Sequence, residues 1–194
     1  MCIADGLRRC ALALASIAGC SAGAAGPQGT TPGPGLGEPA SVSLVAAWNL
    51  SVYPDGRGLP AGVGTAKAGQ PVYRQRCANC HGAEGEGGSG GHLVGRGPLS
   101  DPDPDQTVGN YWPYATTLFD FIRRSMPMDA PGTLSAEEIY SVSAYVLYLN
   151  GIVGLDDPMD ARSLPRIRMP NRDGFIGIDA PVPNVPAGPS SGGR

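Results

Sequence analysis

The pentapeptide Cys77-Ala78-Asn79-Cys80-His81 constrains this chain more than any other feature. C-x-x-C-H is the attachment pattern of a c-type haem. Two thiols separated by two residues both reach the porphyrin edge and bond its vinyl groups, and the next imidazole lies under the iron as proximal ligand. A thioredoxin-like redox pair or half of a zinc site are the competing uses of such a pair. Zinc would need two further ligands, and His92 alone remains among the usual N and S donors of the mature domain. We read the pentapeptide as the site of one covalently attached haem c.

All five cysteines then have an assignment. Cys2 and Cys10 lie in an N-terminal segment, residues 1–19, that has the pattern of an export signal: Arg8 and Arg9 form its positive region and Cys10 to Gly19 a short apolar stretch. That stretch is shorter than the roughly 20 apolar residues a membrane-spanning helix needs. It ends in Ile17-Ala18-Gly19-Cys20, which matches a bacterial lipoprotein cleavage box with Cys20 as the lipidated residue. Ordinary cleavage after Ala22-Gly23-Ala24 is the other fit. With Cys20, Cys77 and Cys80 committed, no thiol is left for a disulfide. Haem attachment of this type takes place outside the cytoplasm, so the export signal and the pentapeptide support each other. The expected location is the periplasm or the outer face of a bacterial membrane.

Loss of residues 1–19 removes Arg8, Arg9 and Asp5 from totals of 14 basic and 17 acidic residues, leaving a formal charge of −4 before the haem propionates. Nucleic-acid binding would demand a basic face, and none is present. Residues 20–47 are expected to form the lipidated Cys20 and a flexible Gly/Pro-rich tether, with a reach on the order of 25 Å. Residues 179–194 repeat that composition and are expected to be a disordered tail. Between them, residues 48–178 form one domain with irregular flanking arms. Three helices are expected: about Lys67 to Cys77, with Pro71 in its first turn; about Tyr114 to Ser125, burying Leu118, Phe121 and Ile122; and Ser135 to Asn150. The last opens with the capping box Ser135–Glu138, buries Ile139, Val142, Val146 and Leu149, and stops at Gly151. No strand pattern of any length is visible, so the fold class is all-α.

An electron-transfer haem usually has a second axial ligand, and Met opposite His raises its potential. The mature chain offers Met126, Met128, Met159 and Met169. Met126 follows the second helix, where a loop can present it from the face opposite His81. Met128 competes on geometry alone, and His92 is a further alternative in a Gly-rich loop. Tyr111-Trp112-Pro113-Tyr114 precedes the second helix. Trp112 and Tyr114 either pack at the helix entry or cover the haem and donate to a propionate, two roles that are compatible. Arg96 reads as a solvated surface residue.

The series Gly69, Tyr73, Cys77, Cys80, His81, Gly82, then Met126-Pro127 and a capped helix, resembles the layout of the class I cytochromes c. Further stretches extend the likeness: Thr107 to Arg124, Asp129-Ala130-Pro131, Tyr145 to Gly151, Met169 to Phe175 and, upstream, Asp55 to Pro60. Over about residues 48–176 the chain is similar to the SoxD-like cytochrome subunit of bacterial sulfite or sulfane dehydrogenases. The resemblance implies three main helices around one haem, attachment through Cys77 and Cys80, and His81 and Met126 as axial ligands. It also implies a molybdenum-cofactor partner that oxidises sulfur while the cytochrome passes electrons onward to a downstream cytochrome or oxidase. Where that family commonly has Phe two residues after the ligand, this chain has Met128. It also carries a single haem motif, whereas some family members carry a second haem domain.

Two functions compete. One is an electron-transfer subunit of a sulfite-type dehydrogenase, for which the arms at 48–65 and 155–176 offer wrapping surface. The other is a general membrane-tethered shuttle to a terminal oxidase. A di-haem peroxidase is excluded by the single C-x-x-C-H, and a five-coordinate gas sensor would require that Met126 not bind.

Overall fold

One glycine's missing side chain lets the first and last main helices touch backbone to backbone, and the rest of the domain is arranged around that contact. The computed structural model describes residues 36–95 and 97–177. The expected signal segment, Cys20, most of the tether, Arg96 and the tail 179–194 lie outside the described residues. The chain divides at Pro39, and every described element belongs to the unit that begins at Ala40.

Helix α1 (Val42–Trp48) is capped by Ser41, whose Oγ accepts from the Leu44 N–H at 3.1 Å, and it buries none of its residues. It falls within the expected tether: Gly and Pro stop at Pro39, and a Ser cap before an uninterrupted Val-Ser-Leu-Val-Ala-Ala-Trp run suffices for two helical turns. Helix α2 (Ala66–Arg76) starts at Thr65, whose Oγ1 accepts from Ala68 N–H at 3.1 Å. Pro71 lies inside this helix rather than in its first turn, so the Lys67 carbonyl has no i+4 donor within α2. The buried face is Ala66, Gly69 and Tyr73, and it meets helix α5 (Ala136–Leu149). A Cβ on Gly69 would overlap the Ser141 carbonyl and touch Tyr145 Cβ at 3.0 Å, so only glycine permits this crossing. One turn on, the Tyr73 and Tyr145 rings pack 5.2 Å apart, tilted by 56°.

The α5 capping box is reciprocal: Ser135 Oγ accepts from Glu138 N–H at 3.2 Å, and Glu138 Oε2 accepts from Ser135 N–H at 2.8 Å. Residues 139–147 are buried without a break, because α5 is covered on every side, and Leu149 is only half-buried. Helix α4 (Ala115–Ser125) packs Leu118, Phe119 and Ile122 into the core, with Phe119 4.5 Å from the Tyr140 ring. Phe121, expected in that stripe, is 44% exposed. At 100° per residue it falls off the 115–118–119–122 face, and its ring meets the edge of Trp112 at 5.8 Å instead. A strand pair also exists: Val63–Gly64 (β1) runs antiparallel to Met159–Asp160 (β2), in register Val63 opposite Asp160. Two residues per strand are too few to leave an alternating pattern in the sequence.

Both arms cover the domain's own apolar surface. Val52 N–H donates to Asp120 Oδ1 at 2.9 Å, while Arg124 pairs with the other oxygen of that buried carboxylate. Arg123 Nη1 donates to the Leu50 and Gly58 carbonyls, and Tyr140 OH to Pro60 O at 2.9 Å. In the second arm Met159, Leu164 and Met169 are fully buried, Leu164 opening a 3-10 turn to Arg166. Gly69→Ala is expected to cost about 2–3 kcal/mol by overpacking the α2–α5 crossing. Denaturant unfolding measures it, with Lys67→Ala on the exposed face of α2 remaining within about 0.5 kcal/mol of wild type.

Candidate functional site

The α2 helix ends at Cys77, whose N–H still bonds Tyr73 O at 2.8 Å, and the chain turns at once into helix α3 (Ala78–His81). Cys80 N–H and His81 N–H both return to the Cys77 carbonyl, at 3.1 and 3.0 Å. One short turn thus carries Cys77, Cys80 and His81 at i, i+3 and i+4, the spacing of neighbours on one helical face. Both thiols are free and half-buried. Burial pushes the Cys77 thiol up to about 11, with the nearby Arg76 charge pulling the other way and Cys80 adding a smaller rise. It is a neutral thiol at pH 7, compatible with its packing against the core.

His81 Nδ1 lies 2.8 Å from the Gly91 carbonyl. A carbonyl only accepts, so Nδ1 carries the ring proton and Nε2 is left with its lone pair. The loop passes this close because Gly90 has no side chain: a Cβ there would stand 2.8 Å from His81 Cε1 and 2.9 Å from Nδ1. Tyr73 OH donates to Gly82 O at 3.0 Å and fixes the exit of the turn. Desolvation raises the Tyr73 phenol above its ordinary value, so it stays a donor at any working pH. Two converging thiols, an imidazole with Nε2 unprotonated and a glycine cradle around its ring fit a haem of the c type.

Of the expected sixth-ligand candidates, Met126 is the half-buried C-cap of α4, its N–H on Ile122 O at 3.1 Å, and packs against the core. Met128 is 79% exposed. Met159 and Met169 are buried in the second arm, away from solvent. His92 is exposed, and its Nδ1 donates to Asp105 Oδ2 at 2.6 Å. Trp112 is half-buried against Phe121. Tyr114 is the N-cap residue of α4, and the Arg172 guanidinium sits over its ring at 4.4 Å. Asn171 Nδ2 donates to Tyr111 O at 2.6 Å, so the second arm clamps the aromatic cluster.

Residues 64–146 match the family described as cytochrome c oxidase, cbb3-type, subunit III. With the class I fold described above, this defines a cytochrome c electron-transfer domain, whose cofactor is haem c. A thiosulfate dehydrogenase of Allochromatium vinosum is 37% identical over 82 residues, covering 41% of this chain and 29% of that protein. One from Stutzerimonas stutzeri is 33% identical over 94 residues, covering 48% and 30%. The chain therefore spans about three-tenths of the length of the curated relatives it matches. A chain of the solved sulfane dehydrogenase SoxCD from Paracoccus pantotrophus superposes with a TM-score of 0.70 and 39% identity, covering 75% of this chain and 73% of that one. The chain belongs to the SoxD-like c-type cytochromes. Among the described residues no helix is long and apolar enough to cross a membrane.

What the sequence did not reveal is how His81 is held, since Gly91 contributes a backbone atom. The turn after His81 is held by Glu86, whose Oε2 accepts from Glu84 N–H at 2.7 Å and Oε1 from Ala83 N–H at 3.2 Å. Bonds from its own N–H, from Glu84 and from Ala83 lower the Glu86 pKa. The ionised carboxylate is the form that caps. Its contribution is complete above the ordinary glutamate range and is lost as pH falls through the lowered value. Amide exchange should show Ala83 and Glu84 protected from pH 6 down through the ordinary glutamate range, with protection lost only below it. Glu86→Ala should lack that protection at every pH.

Proposed function

We propose that this chain is a periplasm-facing monohaem c-type cytochrome that accepts electrons from a molybdenum-containing sulfite or sulfane dehydrogenase subunit and passes them to the respiratory chain. The observation that carries the reading is the likeness to a chain of the solved sulfane dehydrogenase over 75% of this one. That span exceeds residues 64–146 and so takes in more than the generic cytochrome segment. Haem c, when bound, supplies a one-electron Fe(III)/Fe(II) couple. Cys77 and Cys80 hold it through thioethers, one haem per chain. His81 Nε2 and the Met126 thioether would be the ligands of its iron. Met126 is preferred over Met128 because it is anchored and half-buried, whereas Met128 stands in solvent. Trp112 and Tyr114 would cover the haem when it is bound, and the Tyr114 hydroxyl could donate to a propionate. Sulfur chemistry belongs to the partner, and a downstream cytochrome or oxidase takes the electron. Cys20, lipidated after removal of residues 1–19, and the Gly/Pro-rich segment hold the domain near the membrane. The match to an oxidase subunit favours a second reading, a general tethered shuttle to a terminal oxidase.

Met126→Ala should lower the reduction potential by on the order of 100 mV, a part of the roughly 0.8 V that axial ligands span. It should also let the reduced protein bind carbon monoxide, which the wild type and Met128→Ala should not do. The partner is tested by purifying the native protein with whatever accompanies it, assaying molybdenum, and following haem reduction after sulfite or thiosulfate is added. Rapid reduction with a molybdenum protein present, and none with the isolated chain, is expected. Absence of such a partner, together with no reduction by either sulfur compound, would leave the shuttle.

A further inference from the structure

The loop that supplies the His81 acceptor has almost no side chains with which to hold itself. Between Gly85 and Gly91 it contains Gly85, Gly87, Gly88, Gly90 and Gly91, so ordering it costs more backbone entropy than ordering seven residues with side chains would. Its near end is tied to the attachment turn by backbone bonds: Gly87 N–H to His81 O at 2.8 Å and Gly90 N–H to Cys80 O at 2.7 Å. Its far end is tied by side chains at two points. Asn150, the residue after α5 and 8% exposed, uses its whole amide: Nδ2 donates to Leu93 O at 3.0 Å and to Val146 O at 2.9 Å, and Oδ1 accepts from Gly95 N–H at 3.2 Å. His92, next to Gly91, is held by Asp105 and lies with its ring on Gly87. The Asp105 carbonyl in turn accepts from Asn110 Nδ2 at 2.7 Å.

We propose that Asn150, together with the His92–Asp105 pair, is a positioning element for His81, which fixes the Gly91 carbonyl against Nδ1–H and thereby sets the haem's reduction potential. The inference rests on His81 being an iron ligand. A hydrogen bond from the second ring nitrogen fixes the orientation of a metal-bound imidazole and raises its basicity, and a more basic ligand favours the ferric state. Loosening the loop weakens that bond and shifts the equilibrium toward ferrous iron. The rigid end of the core helix α5 is thus coupled to the ligand through Asn150, and the His92–Asp105 pair holds the same loop at a second point.

The test uses the haem-loaded chain and three variants, Asn150→Leu, His92→Phe and Asp105→Asn, with Ile139→Val as a core control that disturbs α5 far from the loop. The measurements are the midpoint potential and the hyperfine-shifted proton resonances of the axial imidazole. The Asn150 variant should move the ferric/ferrous equilibrium up to about tenfold toward ferrous, about 59 mV upward for one electron, with a displaced imidazole resonance. The His92 and Asp105 variants should shift both in the same direction by a smaller, severalfold amount, and the control neither. If Asn150→Leu does not take up haem, the two exposed-pair variants decide alone. Axial-imidazole resonances present in the wild type but unmoved, with unmoved potentials, in the variants would overturn the positioning role and leave the ligand assignment standing. Their absence from the wild type itself would overturn the ligand assignment and this inference with it.

Discussion

The contact between Gly69 and the Ser141 carbonyl sets the distance between α2 and α5, and nearly every dimension of the site refers back to it. A glycine in the interior of a helix costs about 1 kcal/mol relative to alanine. Here that loss is offset by letting two helices meet at backbone contact, which brings Tyr73 onto Tyr145 and buries both. Tyr73 then reaches the Gly82 carbonyl at the far side of the attachment turn. The same approach places the end of α5 where Asn150 meets the loop at Leu93 and Gly95. A wider crossing would move the thiols, the imidazole and the loop by different amounts.

Within the site, the groups are held by different means. The thiols ride on a short turn in which the Cys80 and His81 N–H groups both bond the Cys77 carbonyl, and that turn sets their relative placement. The imidazole rotates about its own bonds, and what stops it is one carbonyl at the tip of a glycine loop. Met126 is positioned by a third device, the C-terminal end of α4, whose core face is anchored by Leu118, Phe119 and Ile122. The candidate donors thus depend on three elements: the turn and the loop are bonded directly to each other, and the end of α4 joins them through the core.

Local chemistry was legible in the sequence and long-range pairing was not. The capping box at Ser135–Glu138 and the pentapeptide depend on residues within a few positions of each other, and the structure places the three main helices within a residue or two of their expected limits. Pro71 was read as a first-turn residue because a helix interior ordinarily rejects it; Thr65 begins the helix early enough to enclose it. Phe121 is expected in the core because Leu118, Phe121 and Ile122 recur at i, i+3 and i+4, yet the aromatic beside it in space is Trp112, nine positions away. The sequence leaves open whether the arms wrap the domain or a partner, and what they do is decided by Asp120, Arg123 and Tyr140, each more than 60 positions from the backbone group it bonds. The β1–β2 pair joins residues nearly 100 positions apart. Asn150 read only as a helix end because its three partners lie in a loop and in the preceding turn.

The buried arms separate two units that the haem motif alone would merge. The segment recognisable as cytochrome runs from residue 64 to 146, yet Met159, Leu164 and Met169 lie beyond it with almost no exposed surface, and Val52 caps a buried carboxylate from before it. A fragment cut at the recognisable limits would expose the underside of α4 and leave Asp120 without its backbone donor. The segment recognisable as cytochrome is therefore shorter than the stretch that packs around one core. Any domain graft or fusion built from this protein must carry the stretch from about residue 50 to about residue 175, with its joints placed in solvent rather than at the edges of the motif.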